Sequence, residues 1–266
     1  MENLLTSFEK IKAVHPYVHH ITNGVTMNDC ANITLAAGGS PAMAHAKEEV
    51  AEMVAMMHAL VLNTGTLTKA GFESMLIAGK AANKLGIPIV LDPVAVGATA
   101  FRKEVNTTLL KELNLSVIRG NASEIMTLAG VTSGRGVDVA LDLTFDEDKV
   151  IALARSQQTV IATSGEVDFI TDGDRLAYCH NGVSMLSEIT GTGCMTASVI
   201  GVCVGADIQP FEGAILATVM MGLAGERAAS DMGHERKLGT FRSKLFDEMA
   251  MITKELLKTA GKVCYR

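Results

Sequence analysis

Residues 189–206, ITGTGCMTASVIGVCVGA, set a Gly-Thr-Gly turn directly before a long run of small and apolar side chains. A run of that length reads as a buried helix, and the turn as its N-terminus. It is not a membrane span: the apolar stretch from Cys194 to Ala206 is interrupted by Asp207, Gln209, Pro210 and Glu212, well before the ~18 residues that crossing requires. A helix start of this kind exposes unpaired N–H groups and about half a positive charge, and its glycines let an anion approach the backbone closely. The segment matches neither a Walker loop nor GxGxxG, so a glycine-rich cap without a ligand stays open on these residues alone.

A buried helix needs a sheet to cover, and the preceding sequence supplies one. Short apolar runs at VHHIT (18–22), residues 59–62, IPIVLDPV (87–94), LSVIRG (115–120) and TVIAT (159–163) read as strands. Helical segments fall between them. One runs from Cys30 to Ala37, capped by Thr26 or Asn28 and stopped by Gly38-Gly39; a second spans Lys69 to Leu85 and ends at Gly86. Others cover Val105–Leu113, Glu124–Ala129 and Lys149–Gln157. Strand and helix in alternation predict an α/β fold whose mainly parallel central sheet is flanked by helices. After residue 163 the pattern changes: VDFITDGDRLAYCH (167–180) carries the tight-turn pair Asp172-Gly173, which predicts a β-hairpin at the sheet edge. The segments 192–229 and 243–259 are again helical.

Composition bounds the function. With 266 residues, no linker and no repeat, one domain spanning 1–266 is expected. The hydrophobic content is 48% with 4% aromatics and no Trp, so Ala, Val, Ile, Leu and the 15 Met fill the core. A net charge of −6 gives no basic field for a phosphate backbone, which argues against nucleic acid as a partner. Five scattered cysteines form no CxxC pair and suggest a reducing compartment. The first residues, MENLLTSFEKIKAVHP, lack the pattern of a secretory signal, so a cytoplasmic protein starting near Met1 is expected. Cys30, Cys179, Cys203 and Cys264 read as small buried residues. His15, His19 and His20 have no ligand at matching spacing and read as surface or core histidines. Met53, Met56 and Met57 read as helix packing.

Polar residues stand where the apolar strands end: Asp92 after IPIVL, Arg119 and Asn121 after LSVI, Ser164 after VIAT. Strand ends are where α/β sites form. An arginine there can hold phosphate, and Asp92 and Glu124 are hard oxygen donors for Mg²⁺ or its waters. Taken singly, Asp92 reads rather as a cap of the Pro93 turn and Glu124 as a solvated first-turn helix carboxylate; their coincidence with the Gly-Thr-Gly helix favours the site.

Seven segments taken in order, ITNGVTMNDCAN (21–32), GGSPAMA (38–44), NTGTL (63–67), VLDPVAVGAT (90–99), VIRGNASEI (117–125), SGEVDFITDG (164–173) and GTGCMTAS (191–198), resemble hydroxyethylthiazole kinases of the ribokinase-like fold. The resemblance covers nearly the whole chain. It implies a three-layer ribokinase-like kinase that phosphorylates the primary hydroxyl of a thiazole precursor of thiamin, with ATP as co-substrate and Mg²⁺ as cofactor. It places Met43 and Gly191 on the thiazole with Asn23 and Val25 beside them, Arg119 and Ser164 on ATP with Asn121 and Thr192 nearby, Asp92 and Glu124 at the metal, and Cys194 at the reacting hydroxyl. It also implies a homotrimer with sites at subunit interfaces. Ser164 stands where the family often has Thr, and Gly39 where it often has Ala. Many relatives in the wider superfamily carry an Asp base at the position of Cys194.

Three rivals remain on the sequence. A related ribokinase-like kinase for the pyrimidine half of thiamin or for another small alcohol differs only in substrate. A hydrolase using Cys194 as nucleophile needs a neighbouring His, and none accompanies the motif. A nucleotide- or thiazole-binding sensor would bind without releasing ADP. As a base or orienting group, Cys194 is expected to have its thiol pKa lowered by the helix N-terminus.

Overall fold

The computed structural model describes residues 2–130, 145–230, 232 and 235–266. Its centre is a nine-stranded sheet in the order β2-β1-β3-β4-β5-β6-β7-β8-β9. The strands β1 (Tyr17–Ile21), β2 (Ser40–Ala42), β3 (Ala59–Asn63), β4 (Ile89–Asp92), β5 (Val117–Asn121) and β6 (Val160–Ser164) run parallel. The remaining strands, β7 (Asp168–Thr171), β8 (Leu176–Cys179) and β9 (Val263–Tyr265), add antiparallel on one side.

Strand alternation divides the core. Val18, Val61, Val90, Val117 and Ala162 point to one face, where α1 (Glu2–Val14), α2 (Met27–Ala36), α8 (Thr192–Gly205), α9 (Pro210–Ser230), α10 (Leu238–Ala250) and α11 (Lys254–Ala260) cover them. Leu60, Leu62, Ile89, Leu91, Ile118 and Ile161 point to the other, under α3 (Val50–Ala55), α4 (Lys69–Leu85), α5 (Ala100–Glu112), α6 (Ala122–Leu128) and α7 (Glu147–Gln157). The result is the expected three layers. Each large side chain withdrawn from water in these two cores contributes about 1.5–3 kcal/mol, so a one-residue slip of a central strand would forfeit both faces.

Local chemistry fixes the helix ends. Thr68 caps α4 by accepting the Gly71 N–H at 3.0 Å, and Gly86 closes it in the left-handed conformation. Helix α8 is buried on nearly all sides, and no side chain caps its N-terminus.

Several expectations need correcting. The hairpin β7–β8 forms, but it is not the sheet edge, because the C-terminal β9 pairs onto β8. The helical stretch 192–229 is, as its polar interruption indicated, two helices, broken where Asp207 takes a positive φ of 57° before Pro210. Thr26 occupies the N-cap position of α2 without a side-chain cap bond. Cys264 is exposed, unlike Cys30, Cys179 and Cys203. Met56, expected to pack, is 62% exposed, whereas His19 and His20 are the core histidines that the sequence reading allowed.

Candidate active site

Parallel register carries the site residues to one end of the sheet. Asn63 lies opposite Asp92, and Asn121 opposite Ser164, so the carboxyl ends of β3 to β6 present a row of polar side chains. Alternation turns Asn63, Asp92 and Arg119 toward the face covered by α8, the same side as Val61, Val90 and Val117. The start of α8 meets that row. Gly191 takes φ 86°, and a Cβ there would meet the Thr26 methyl; a Cβ on Gly193 would meet the Arg119 guanidinium. The two glycines thus permit the helix terminus to close on both the 23–26 loop and Arg119.

On the β4 side the residues form a buried hydrogen-bonded group. Asn63 donates to Asp92 Oδ2 at 2.6 Å, and Asn23 donates to Asn63 Oδ1 at 2.9 Å and toward Cys194 Sγ at 3.4 Å. Asn23, Asn63 and Asp92 are each under 5% exposed. Burial pushes the Asp92 carboxyl up to about 7; Arg119 pulls against that, and Glu124 adds to it. Burial and the Asp92 carboxylate push the Cys194 thiol up to about 12. This reverses the expected lowering: loss of water and a neighbouring acid outweigh the helix terminus, so the thiol is protonated at neutral pH.

On the β6 side lies an open cleft of about 710 Å³. Ala162, Ile170, Leu186 and Met221 give it an apolar base, while Arg119, Ser164, Asp168 and Thr192 stand around it. Arg119 feels the fields of Asp92 and Asp168 yet forms no ion pair among the described residues. Thr192 donates to the Leu186 carbonyl at 2.8 Å, tying α8 to the cleft wall. Ser164 lies 3.5 Å from the Gly120 carbonyl, too long for a strong bond.

Asn121 and Glu124 form a capping box at the start of α6, with Asn121 Oδ1 accepting the Glu124 N–H and Glu124 Oε2 accepting the Asn121 N–H. Glu124 Oε1 also accepts the Ala95 N–H at 2.8 Å, holding the loop after Asp92. Val25 reaches the buried group through its backbone N–H, which Asn23 Oδ1 accepts at 3.0 Å. Met43 follows the edge strand β2 and is partly buried; Val25 is 64% exposed.

Sequence reasoning gave no role to Asn63, Arg102, Asp168 or Asn181. Arg102 donates to the carbonyls of Thr64 at 2.5 Å and Val94 at 2.9 Å and also to that of Gly65, clamping two strand-end loops together. Asn181, buried in the cleft wall, accepts the Lys262 N–H at 2.7 Å and donates to the Ala260 carbonyl and to Glu226. Asn63 carried a usable signal, since it ends an apolar strand as Asp92 does. Arg102 and Asn181 act on backbone groups distant in sequence and leave no such trace, and among the described residues Asp168 accepts only the nearby Gly165 N–H.

The family model described as the hydroxyethylthiazole kinase family matches residues 8–255. A protein from Alkaliphilus oremlandii named hydroxyethylthiazole kinase is 48% identical over 98% of this chain and 97% of its own length. The solved hydroxyethylthiazole kinase structure from Pyrococcus horikoshii OT3 is 37% identical, covers 100% of both chains and superposes with a TM-score of 0.90. Pyridoxal kinase from Staphylococcus aureus in complex with AMP-PCP, at 15% identity and a TM-score of 0.59 over 79% of this chain and 87% of its own, shares the ribokinase-like fold. With a fold common to small-molecule kinases and a family match over almost its whole length, the chain belongs to the hydroxyethylthiazole kinase family.

Proposed function

We propose that this chain, as a single kinase domain, transfers the γ-phosphoryl group of ATP to the primary hydroxyl of 4-methyl-5-(2-hydroxyethyl)thiazole. The observation that carries this reading is the position of the α8 N-terminus, which touches Arg119 through Gly193 and the 23–26 loop through Gly191. One helix end therefore borders both the open cleft and the buried polar group, as a donor and an acceptor in line would require.

In this reading the adenine occupies the apolar base of the cleft, and the phosphates run toward Arg119 and the uncapped amides of α8. Ser164, Asn121 and Thr192 flank them. Arg119 and those amides stabilise charge on the transferred oxygens, where positioning and electrostatics supply most of the catalysis. The acceptor hydroxyl sits beside Asn23 and Cys194, with Gly191, Val25 and Met43 around the thiazole ring. The protonated thiol orients the hydroxyl rather than removing its proton. That fits a transition state in which the alcohol keeps its proton until late.

Asp92 and Glu124 fit Mg²⁺ in a limited way. Asp92 is a buried carboxylate that feels the Arg119 charge but forms no ion pair among the described residues, which favours a cation there. Both Glu124 oxygens already accept backbone N–H groups, so Glu124 would reach an ion through water. Among the described residues no group of three or more His, Cys, Asp or Glu is placed to hold a metal. Such a donor set suits an ion that keeps waters and phosphate oxygens. When bound, Mg²⁺ neutralises charge on the phosphates.

The exposure of Val25 supports a homotrimer in which a neighbouring subunit covers the thiazole; the protein is read as cytoplasmic. No described helix is long and apolar enough to cross a membrane. The reading is tested by ADP release with hydroxyethylthiazole, with hydroxymethylpyrimidine and without acceptor. Release only with the thiazole is expected. Equal release with the pyrimidine, or nucleotide binding without turnover, would transfer the chain to one of its rivals.

A further inference from the structure

The amide groups of Asn23 and Asn63 satisfy their surroundings in one orientation only. Asn23 Oδ1 accepts the N–H groups of Val25 and Thr26, each at 3.0 Å. Backbone donors cannot exchange roles, so its Nδ2 must face inward, with one hydrogen on Asn63 Oδ1 and the other toward Cys194 Sγ. Asn63 Oδ1 also accepts the Gly65 N–H at 2.9 Å, which turns its Nδ2 onto Asp92 Oδ2. Two backbone turns therefore dictate the direction of every hydrogen bond in the group. The sulfur accepts from Asn23, leaving its S–H for Asp92 or an incoming hydroxyl.

We propose that Asn63 is a positioning residue for phosphoryl transfer: anchored by Gly65, it fixes at once the Asp92 carboxylate and the Asn23 amide that faces Cys194. This rests on the kinase reading above. Asn63 acts through its two neighbours, accepting from Asn23 and donating to Asp92. A displacement of either by ~1 Å is enough to cost on the order of 10²-fold in rate, whereas ligand affinity depends on contacts Asn63 does not make.

The test pairs kinetics with a cycle that needs no turnover. Asn63→Asp keeps the shape and the acceptor for Gly65 and Asn23 but removes the amide N–H that Asp92 accepts. It should lower kcat on the order of 10²-fold while KM for ATP and for the thiazole each stay within about threefold. In urea unfolding, the Asn23→Ala, Asn63→Ala cycle should depart from multiplicative behaviour by about fivefold or more in the unfolding constant. A folded Asn63→Asp enzyme with kcat within about twofold of the parent, or one whose only defect is a raised KM for ATP, overturns the proposal. A multiplicative cycle does so too. A parent that releases no ADP with the thiazole removes the substrate reading instead, and the cycle then still decides whether the amide chain exists.

Discussion

The buried group at the ends of β3 and β4 and the cleft beside β6 share one helix terminus and are built in opposite ways. In the first, Asn23, Asn63 and Asp92 are withdrawn from water and bonded to one another before any ligand arrives. In the second, Arg119 has no ion-pair partner among the described residues, and α8 has no side-chain cap. A satisfied polar network is rigid, and an unsatisfied set of donors is receptive. The contrast teaches that geometry is fixed where the acceptor alcohol is to be aimed, and left to be completed where an anion brings its own charge.

Removing a charge from the rigid side should break it hardest. Asp92→Asn keeps the shape but discards the carboxylate, and we expect kcat to fall on the order of 10²–10³-fold in steady-state assays of ADP release. Cys194 is a milder probe. Its thiol, pushed up to about 12, holds so little thiolate that iodoacetamide at pH 8 should label exposed Cys264 far faster, read by peptide mass spectrometry. Cys194→Ser should retain kinase activity within about tenfold, since it keeps an orienting hydroxyl.

The smallest effect is on stability against pH. Burial lowers the His20 imidazole to about 3, so below ~6.5 the unfolded chain takes up a proton that the folded chain refuses. Its contribution therefore falls as pH drops, by at most about 1.4 kcal/mol per pH unit. Asp92 works the other way: raised to about 7, its contribution is fully present below ~4 and lost as pH rises toward 7. In metal-free buffer the two oppose each other in the parent. Asp92→Asn should unmask the histidine, so that its urea midpoint declines more steeply than the parent's from pH 6.5 to 4.

Much of this was legible in residue order. Apolar runs such as IPIVL are buried on both sheet faces, and their boundaries place Asp92, Arg119 and Ser164 at strand ends without further information. Gly191-Thr192-Gly193 announced the helix terminus. The short strands β2 and β9 were not legible, because three residues with little side-chain pattern pair through backbone groups alone. Nor was the protonation of Cys194. The helix start is a local feature, whereas burial and the Asp92 carboxylate come from residues brought together by the fold. Asn63 lay in a quoted motif, but its role depends on the Gly65 amide and on Asn23, forty residues earlier.

The division between the two regions is tested most directly by calorimetric titration of a non-hydrolysable ATP analogue and of hydroxyethylthiazole into Arg119→Ala and Asn23→Ala. Loss of a charge-assisted phosphate contact worth ~1.5–3 kcal/mol should weaken the nucleotide about ten- to a hundredfold in Arg119→Ala and leave the thiazole within about twofold. Asn23→Ala should show the reverse pattern. If both variants lose the same ligand, or each loses both ligands equally, the cleft and the buried group are not separate sites for donor and acceptor.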